Sequence, residues 1–159
     1  MTDTAAMTRR IYVASSWRND LQPTVVRMLR AAGHEVYDFK NPVEGSHGFK
    51  WSEVGLPNTT GDQALDVCSA TDYVRGIAHP IAVEGYLNDF TAMEWADTFV
   101  LVLPCGRSAH LELGWAAGAG RRTAVLLDDP VIPELMYRMV DKIAVDAHDL
   151  LDWLGGVTS

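Results

Sequence analysis

The chain has 159 residues, 48% of them hydrophobic, which fits one domain with a packed core rather than a disordered chain. Its 13 Lys and Arg against 21 Asp and Glu leave a net charge of -8, which argues against a nucleic-acid polymer or an anionic membrane as partner. A small anionic ligand stays open, because a few local donors outweigh a distant net charge.

Residues 1–8 are polar, lack the apolar stretch of a signal peptide and read as a flexible tail. The β-rich run 11–14 predicts a first strand, and residues 15–20 the loop after it. Pro23 suits the first turn of a helix, whose apolar residues Val25, Val26, Met28, Leu29 and Ala32 recur at helical spacing. Gly33 ends it, and residues 35–39 give a second strand, making a parallel β-α-β unit. From Lys40 to about Thr60 the periodicity fails, yet Glu44, His47, Lys50, Phe49 and Trp51 offer polar and aromatic groups to a ligand. Residues 40–85 are read as an insertion resembling a lid; an ordinary surface loop with its aromatics tucked inward is the alternative. Residues 62–76 predict one or two short helices, and His79-Pro80 opens a longer one that carries Asp89 and ends near Trp95.

The continuous apolar run 99–103 predicts a third strand, buried on both faces at the centre of a parallel sheet. After the turn 104–108 come a helix over 109–119, a strand over 123–127, a short helix over 133–139, a strand over 142–145 and a helix over 147–154. Alternating strands and helices predict a single α/β domain, a flavodoxin-like, doubly wound, parallel five-stranded sheet of order 2-1-3-4-5. Its switch point lies between strands 1 and 3, so the polar turns 15–20 and 105–108 face one crevice. No apolar run approaches the roughly 20 residues of a membrane span. Cys68 and Cys105 lack metal-ligand spacing and fit a reducing cytoplasm.

The crevice has the makings of an anion or sugar site. A helix N-terminus presents free N–H groups, Gly106 allows close approach to the backbone, and Ser108 can cap the helix or bind a phosphate. Arg107 and Arg18 add positive charge. Glu112, placed in the first helical turn, is a candidate nucleophile, and Asp89 a candidate acid for a departing base. Each also has an ordinary structural explanation, as a helix-end carboxylate and a solvated helix residue. His47, His79 and His110 show no metal spacing, and neither a phosphate-binding P-loop nor a dinucleotide glycine fingerprint is present, so no metal or cofactor is expected.

Three stretches together, residues 11–18, 89–97 and 106–114, resemble the nucleoside 2-deoxyribosyltransferase superfamily, which includes the 2′-deoxynucleoside 5′-phosphate N-hydrolases and related nucleotide N-glycosidases. The likeness spans roughly residues 10–39 and 81–127 and implies a flavodoxin-like fold. It implies that Glu112, in Glu112-Leu113-Gly114, is the nucleophile on the anomeric carbon. Asp89 matches the family's aspartate two turns before an Ala-Asp pair, here Ala96-Asp97, and Tyr12 the tyrosine that positions the nucleophile. Ser108 is similar to the serine that holds a 5′-phosphate, at a different spacing from the glutamate. Ser15, Ser16, Arg18, Gly106, Arg107, His110, Phe49 and Trp51 complete the expected binding set. The resemblance implies retaining cleavage of a nucleoside or nucleoside 5′-monophosphate, with hydrolysis favoured, by a cytoplasmic homo-oligomer. Base exchange between nucleosides, cleavage of the nicotinamide bond of NAD and a nucleotide-sensing module without turnover are the rival functions.

Overall fold

The computed structural model describes residues 7–58 and 65–156; the outermost six residues of the expected tail and the first part of the segment 62–76 lie outside them. Five strands, β1 (Arg10–Ala14), β2 (Glu35–Asp38), β3 (Thr98–Val102), β4 (Arg122–Leu126) and β5 (Lys142–Ala144), form one sheet of order β2-β1-β3-β4-β5. Every pairing is parallel, so the doubly wound order expected from the alternation of elements is the observed one. β3 occupies the centre with all five residues buried, which is why its sequence is apolar without alternation.

Two compact units make up the chain, one of Met1–Asp38 with Met93–Ser159 and one of Phe39–Ala92. The first holds the sheet. Side chains alternate across it. Ile11, Val13, Val100, Val102, Ala124 and Leu126 point to one face, against Val25, Val26 and Leu29 of α1 (Gln22–Ala31) and Leu150 and Leu154 of α5 (Ala147–Leu154). Pro23 stands in the first turn of α1, and Gly33, at φ +92°, takes the left-handed backbone that ends it. The other face carries Tyr12, in register with Tyr37 on one side and Phe99 on the other. The three rings stack at centroid spacings of 5.3 and 5.2 Å. Phe99 in turn meets Trp115 of α4 (Arg107–Gly118) at 6.0 Å. Each fully buried aliphatic or aromatic side chain in these layers contributes about 1.5–3 kcal/mol.

The second unit contains a 3₁₀ turn at Trp51–Val54, α2 (Ala70–Ile77) and most of α3 (Pro80–Trp95), which begins at the proline expected to open it. Residues 40–58 are fitted against these helices rather than left as a bare loop. Phe49 seats on Gly85 of α3 so closely that a Cβ at 85 would lie 2.7 Å from the Cβ of Phe49. Leu56 likewise covers Gly76 of α2. Trp51 packs edge-on against Phe49 at 5.0 Å and meets Tyr73 at 5.9 Å.

Candidate active site

In a parallel doubly wound sheet, ligands bind beyond the carboxyl ends of the strands. At that edge the turns after β1 and β3 are tied together. The Ser15 hydroxyl donates to the Val102 carbonyl at 2.8 Å. The Asn19 side-chain amide donates to Ser15 Oγ at 3.0 Å and to the Val102 and Pro104 carbonyls, both at 3.2 Å. Asn19 Oδ1 accepts from the Leu21 N–H at 2.9 Å, an Asx turn that leads the chain into α1. The Ser16 hydroxyl accepts from the Arg18 N–H at 3.2 Å, and the Arg18 side chain is exposed. Ser15 and Asn19 thus shape the crevice through backbone contacts. Asn19 was not among the expected site residues; only its place three residues ahead of a helix hints at its role.

The amino end of α4 differs from expectation. The helix starts at Arg107, with Gly106 as its N-cap and no side chain capping it. Ser108 therefore lies inside the first turn and does not cap, and Glu112, the sixth helical residue, lies in the second turn, not the first. Ser108, read as a cap just ahead of Ala109, placed the start two residues late, and the observed cap, Gly106, has no side chain to signal it. Gly106 has extended backbone (φ -99°, ψ -160°), and a Cβ there would meet no atom within 4 Å. The space above the helix end is open, and the N–H groups of the first turn have no capping side chain.

Glu112 is half-buried on α4, three residues before Trp115, whose ring meets Phe99 and through it Tyr12. Residues three apart share a helix face, so Glu112 and the buried Tyr12 belong to the same side of the sheet. Burial, then the charges of Glu112 and Asp128, push the Cys105 thiol from 9.0 up to about 12. The sulfur stays a neutral thiol at ordinary pH and is no nucleophile. His110 Nδ1 lies 2.7 Å from the Gly106 carbonyl, its Nε2 2.9 Å from the Tyr137 hydroxyl, and Cys105 Sγ 3.7 Å from Nδ1. Asp128 and Tyr137 were not singled out in the sequence, because only the folded chain brings them to the turn that holds Cys105.

The second unit carries the remaining expected residues. A recess of about 180 Å³ within it is lined by Asp89 and Phe49, with His47, Glu84 and Asn88 among their neighbours. Ile81, Glu84, Gly85, Asn88 and Asp89 recur every three to four residues along α3, which brings them onto one face. Trp51 stands behind Phe49 through their edge-on contact. Among the described residues no group of three or more His, Cys, Asp or Glu is arranged to hold a metal, and no helix is long and apolar enough to cross a membrane.

This sheet order is a flavodoxin-like α/β arrangement. Solved structures that share it include a 2-deoxyribosyltransferase of the psychrotolerant bacterium Bacillus psychrosaccharolyticus, at 21% identity and TM-score 0.54 over 89% of this chain and 90% of that one. They also include the CMP N-glycosidase of Clostridium botulinum, at 15% identity and TM-score 0.50 over 92% and 98% of the two chains. A conserved protein of Enterococcus faecalis V583 matches at 12% identity and TM-score 0.58 over 96% of this chain and all of the other. No protein-family profile matches the chain, and no curated protein matches it significantly.

Proposed function

We propose that the protein cleaves the N-glycosidic bond of a nucleoside or nucleoside 5′-monophosphate with retention, through a glycosyl-enzyme intermediate. The observation that carries this is the placement of Glu112, half-buried on the Tyr12 side of the sheet, one turn beyond an uncapped helix end that opens on free space. Glu112 attacks the anomeric carbon, Asp89 protonates the departing base, and Tyr12 orients the nucleophile. The 5′-phosphate lies over the first turn of α4, near Arg107 and Ser108, with Arg18 adding charge. Ser15, Ser16, Gly106 and His110 are further residues of that pocket, and Phe49 and Trp51 are further substrate contacts in this reading.

Hydrolysis is the favoured outcome, since the CMP N-glycosidase shares the fold and a phosphate site suits a nucleotide. The deoxyribosyltransferase of the same fold supports base exchange as the second reading. Assembly into a homo-oligomer agrees with the exposed Val74 and Ile77 of α2 and Tyr86 and Leu87 of α3. Two free cysteines agree with a cytoplasmic location.

Chromatography of purified protein incubated with a panel of nucleosides, nucleoside 5′-monophosphates and NAD, with and without added free base, tests the proposal. Base release is expected from the wild type and none from Glu112→Ala. Equal release by the two proteins would sink the assignment; appearance of an exchanged nucleoside would identify a transferase.

A further inference from the structure

The turn that follows β4 lies beside the one that follows β3. Val102 pairs with Leu126, and the Leu103 N–H donates to the Leu126 carbonyl at 3.1 Å. Cys105 and Asp128 stand three and two residues past those paired positions, both at the carboxyl edge of the sheet. Tyr137 joins the same neighbourhood through His110, which reaches both Cys105 Sγ and the Tyr137 hydroxyl. The charge of Asp128 acts on the Cys105 thiol, as that of Glu112 does, and also on the Tyr137 phenol. Glu112 and Asp128 thus both act by charge on the one thiol at this edge, where the paired ends of β3 and β4 bring Cys105 and Asp128 to neighbouring turns.

Asp128 differs from the other buried or half-buried aspartates of its unit. Asp38 accepts from Gln22 Nε2 at 2.8 Å, Asp97 from the Arg10 N–H at 3.1 Å and the Thr98 hydroxyl at 2.7 Å, and Asp149 from Lys142 and the Val145 N–H. The half-buried Asp128 carboxylate has no hydrogen-bond or ion-pair partner among the described residues. A carboxylate at the edge of a crevice with its lone pairs unused is an acceptor for something that is not protein.

We propose that Asp128 is a further catalytic residue, the base that deprotonates the water resolving the glycosyl-enzyme intermediate. This rests on the glycosidic function proposed above. In the first step Glu112 bonds to C1′ and the C1′–N bond breaks, its electron pair leaving with the base, which takes a proton from Asp89. In the second, water bonds to C1′ and its proton passes to Asp128. The ester C1′–O bond breaks, its electron pair returns to the Glu112 carboxylate, Asp128 releases the proton to solvent, and Asp89 takes one back from solvent to complete the cycle. Dividing the two proton transfers between Asp89 and Asp128 lets each carboxyl serve one step.

The test is pre-steady-state base release by wild type, Asp128→Asn and Asp128→Ala, with intact-mass measurement of the enzyme and circular dichroism to check folding. The Asp128 variants are expected to release one equivalent of base at the wild-type rate, then turn over roughly 10²-fold more slowly. A glycosyl adduct should accumulate on Glu112. Azide, which attacks without a base, should restore turnover of Asp128→Ala as a glycosyl azide. An unchanged steady state, or a slowed first turnover without azide rescue, overturns the role of Asp128 while base release by the wild type keeps the glycosidic function. No release by the wild type from any substrate overturns both. If Asp128→Ala fails to fold, Asp128→Asn, nearly isosteric, decides alone by the presence or absence of the burst and adduct.

Discussion

The Tyr137 hydroxyl lies 2.9 Å from His110 Nε2, with the two rings nearly parallel at 8°. Since His110 Nδ1 faces the Gly106 carbonyl, which only accepts, Nδ1 carries the hydrogen and the neutral ring takes the Tyr137 O–H at Nε2. One imidazole thus ties the 3₁₀ turn Leu135–Met139 to the first turn of α4. Tyr137→Phe deletes the hydroxyl while keeping the ring, and should lower stability by about 1 kcal/mol. Urea denaturation measures this, and hydrogen exchange should quicken over residues 135–139 ahead of the sheet.

Phe49 and Gly85 make a second testable contact. Alanine favours a helix interior over glycine by about 1 kcal/mol. At 85, however, the new methyl would press on Phe49 Cβ, which is fixed to its backbone and cannot swing away. Overpacking of this kind costs about 1–3 kcal/mol, so Gly85→Ala should be net destabilising. At Gly76 the nearest atom is the end of the Leu56 side chain, which can rotate, and Gly76→Ala should be close to neutral. Denaturation midpoints of the two variants check the order. Phe49→Ala keeps the Cβ at 49 and should relieve little of the cost, whereas Phe49→Gly, which removes it, should make the Gly85→Ala change nearly neutral in a double-mutant cycle.

These contacts mark the boundary of what the sequence makes legible. The strands announce themselves because a central parallel strand needs an unbroken apolar run, as in β3. The helix ends that carry local signals, Pro23, Gly33 and Pro80, are legible for the same reason: the cause of each lies in the residue itself. The start of α4 lacks such a signal, so Glu112 falls one turn deeper than its pattern suggests. The fit of residues 40–58 on α2 and α3 depends on missing side chains at Gly76 and Gly85, which read in the sequence only as breaks in periodicity. Asn19 and Tyr137 gain their meaning from partners 83 and 27 residues away, and nothing local foretells those contacts.

Cys105 and Cys68 should react very differently. Cys68 is exposed, whereas Cys105 is half-buried and its thiol is pushed up to about 12 by burial and then by Glu112 and Asp128. At pH 8 iodoacetamide should label Cys68 and spare Cys105 in the native protein, as read by mass spectrometry of the alkylated peptides. The same shift sets a pH dependence. The folded value lies above the unfolded one, so its contribution to stability is complete below about pH 9 and is lost as pH rises toward about 12. Tyr137, raised from 10.0 to about 12 chiefly by burial, acts in the same direction over the upper part of that range. Melting temperature should therefore fall between pH 9 and 11 in the wild type, and less steeply in Cys105→Ala. Parallel curves for the two proteins would contradict this.

Asn19 holds the crevice in shape. It is 4% exposed, and its amide nitrogen serves Ser15 Oγ and the carbonyls of Val102 and Pro104, joining the turn after β1 to the turn before α4. Asn19→Ala removes the donor and leaves those carbonyls short of a partner in a buried place, which should cost about 1–3 kcal/mol. Asn19→Asp keeps the size but turns a carboxylate oxygen toward two carbonyl oxygens, and should be the worse of the two near neutral pH. Lowering the pH until that carboxyl is protonated restores a donor, so the stability of Asn19→Asp should recover toward the wild type in acid while Asn19→Ala does not. Denaturant midpoints of the three proteins at pH 7 and pH 4 check the sign. If Asn19→Asp equals wild type at pH 7, the amide is not what holds the two turns together.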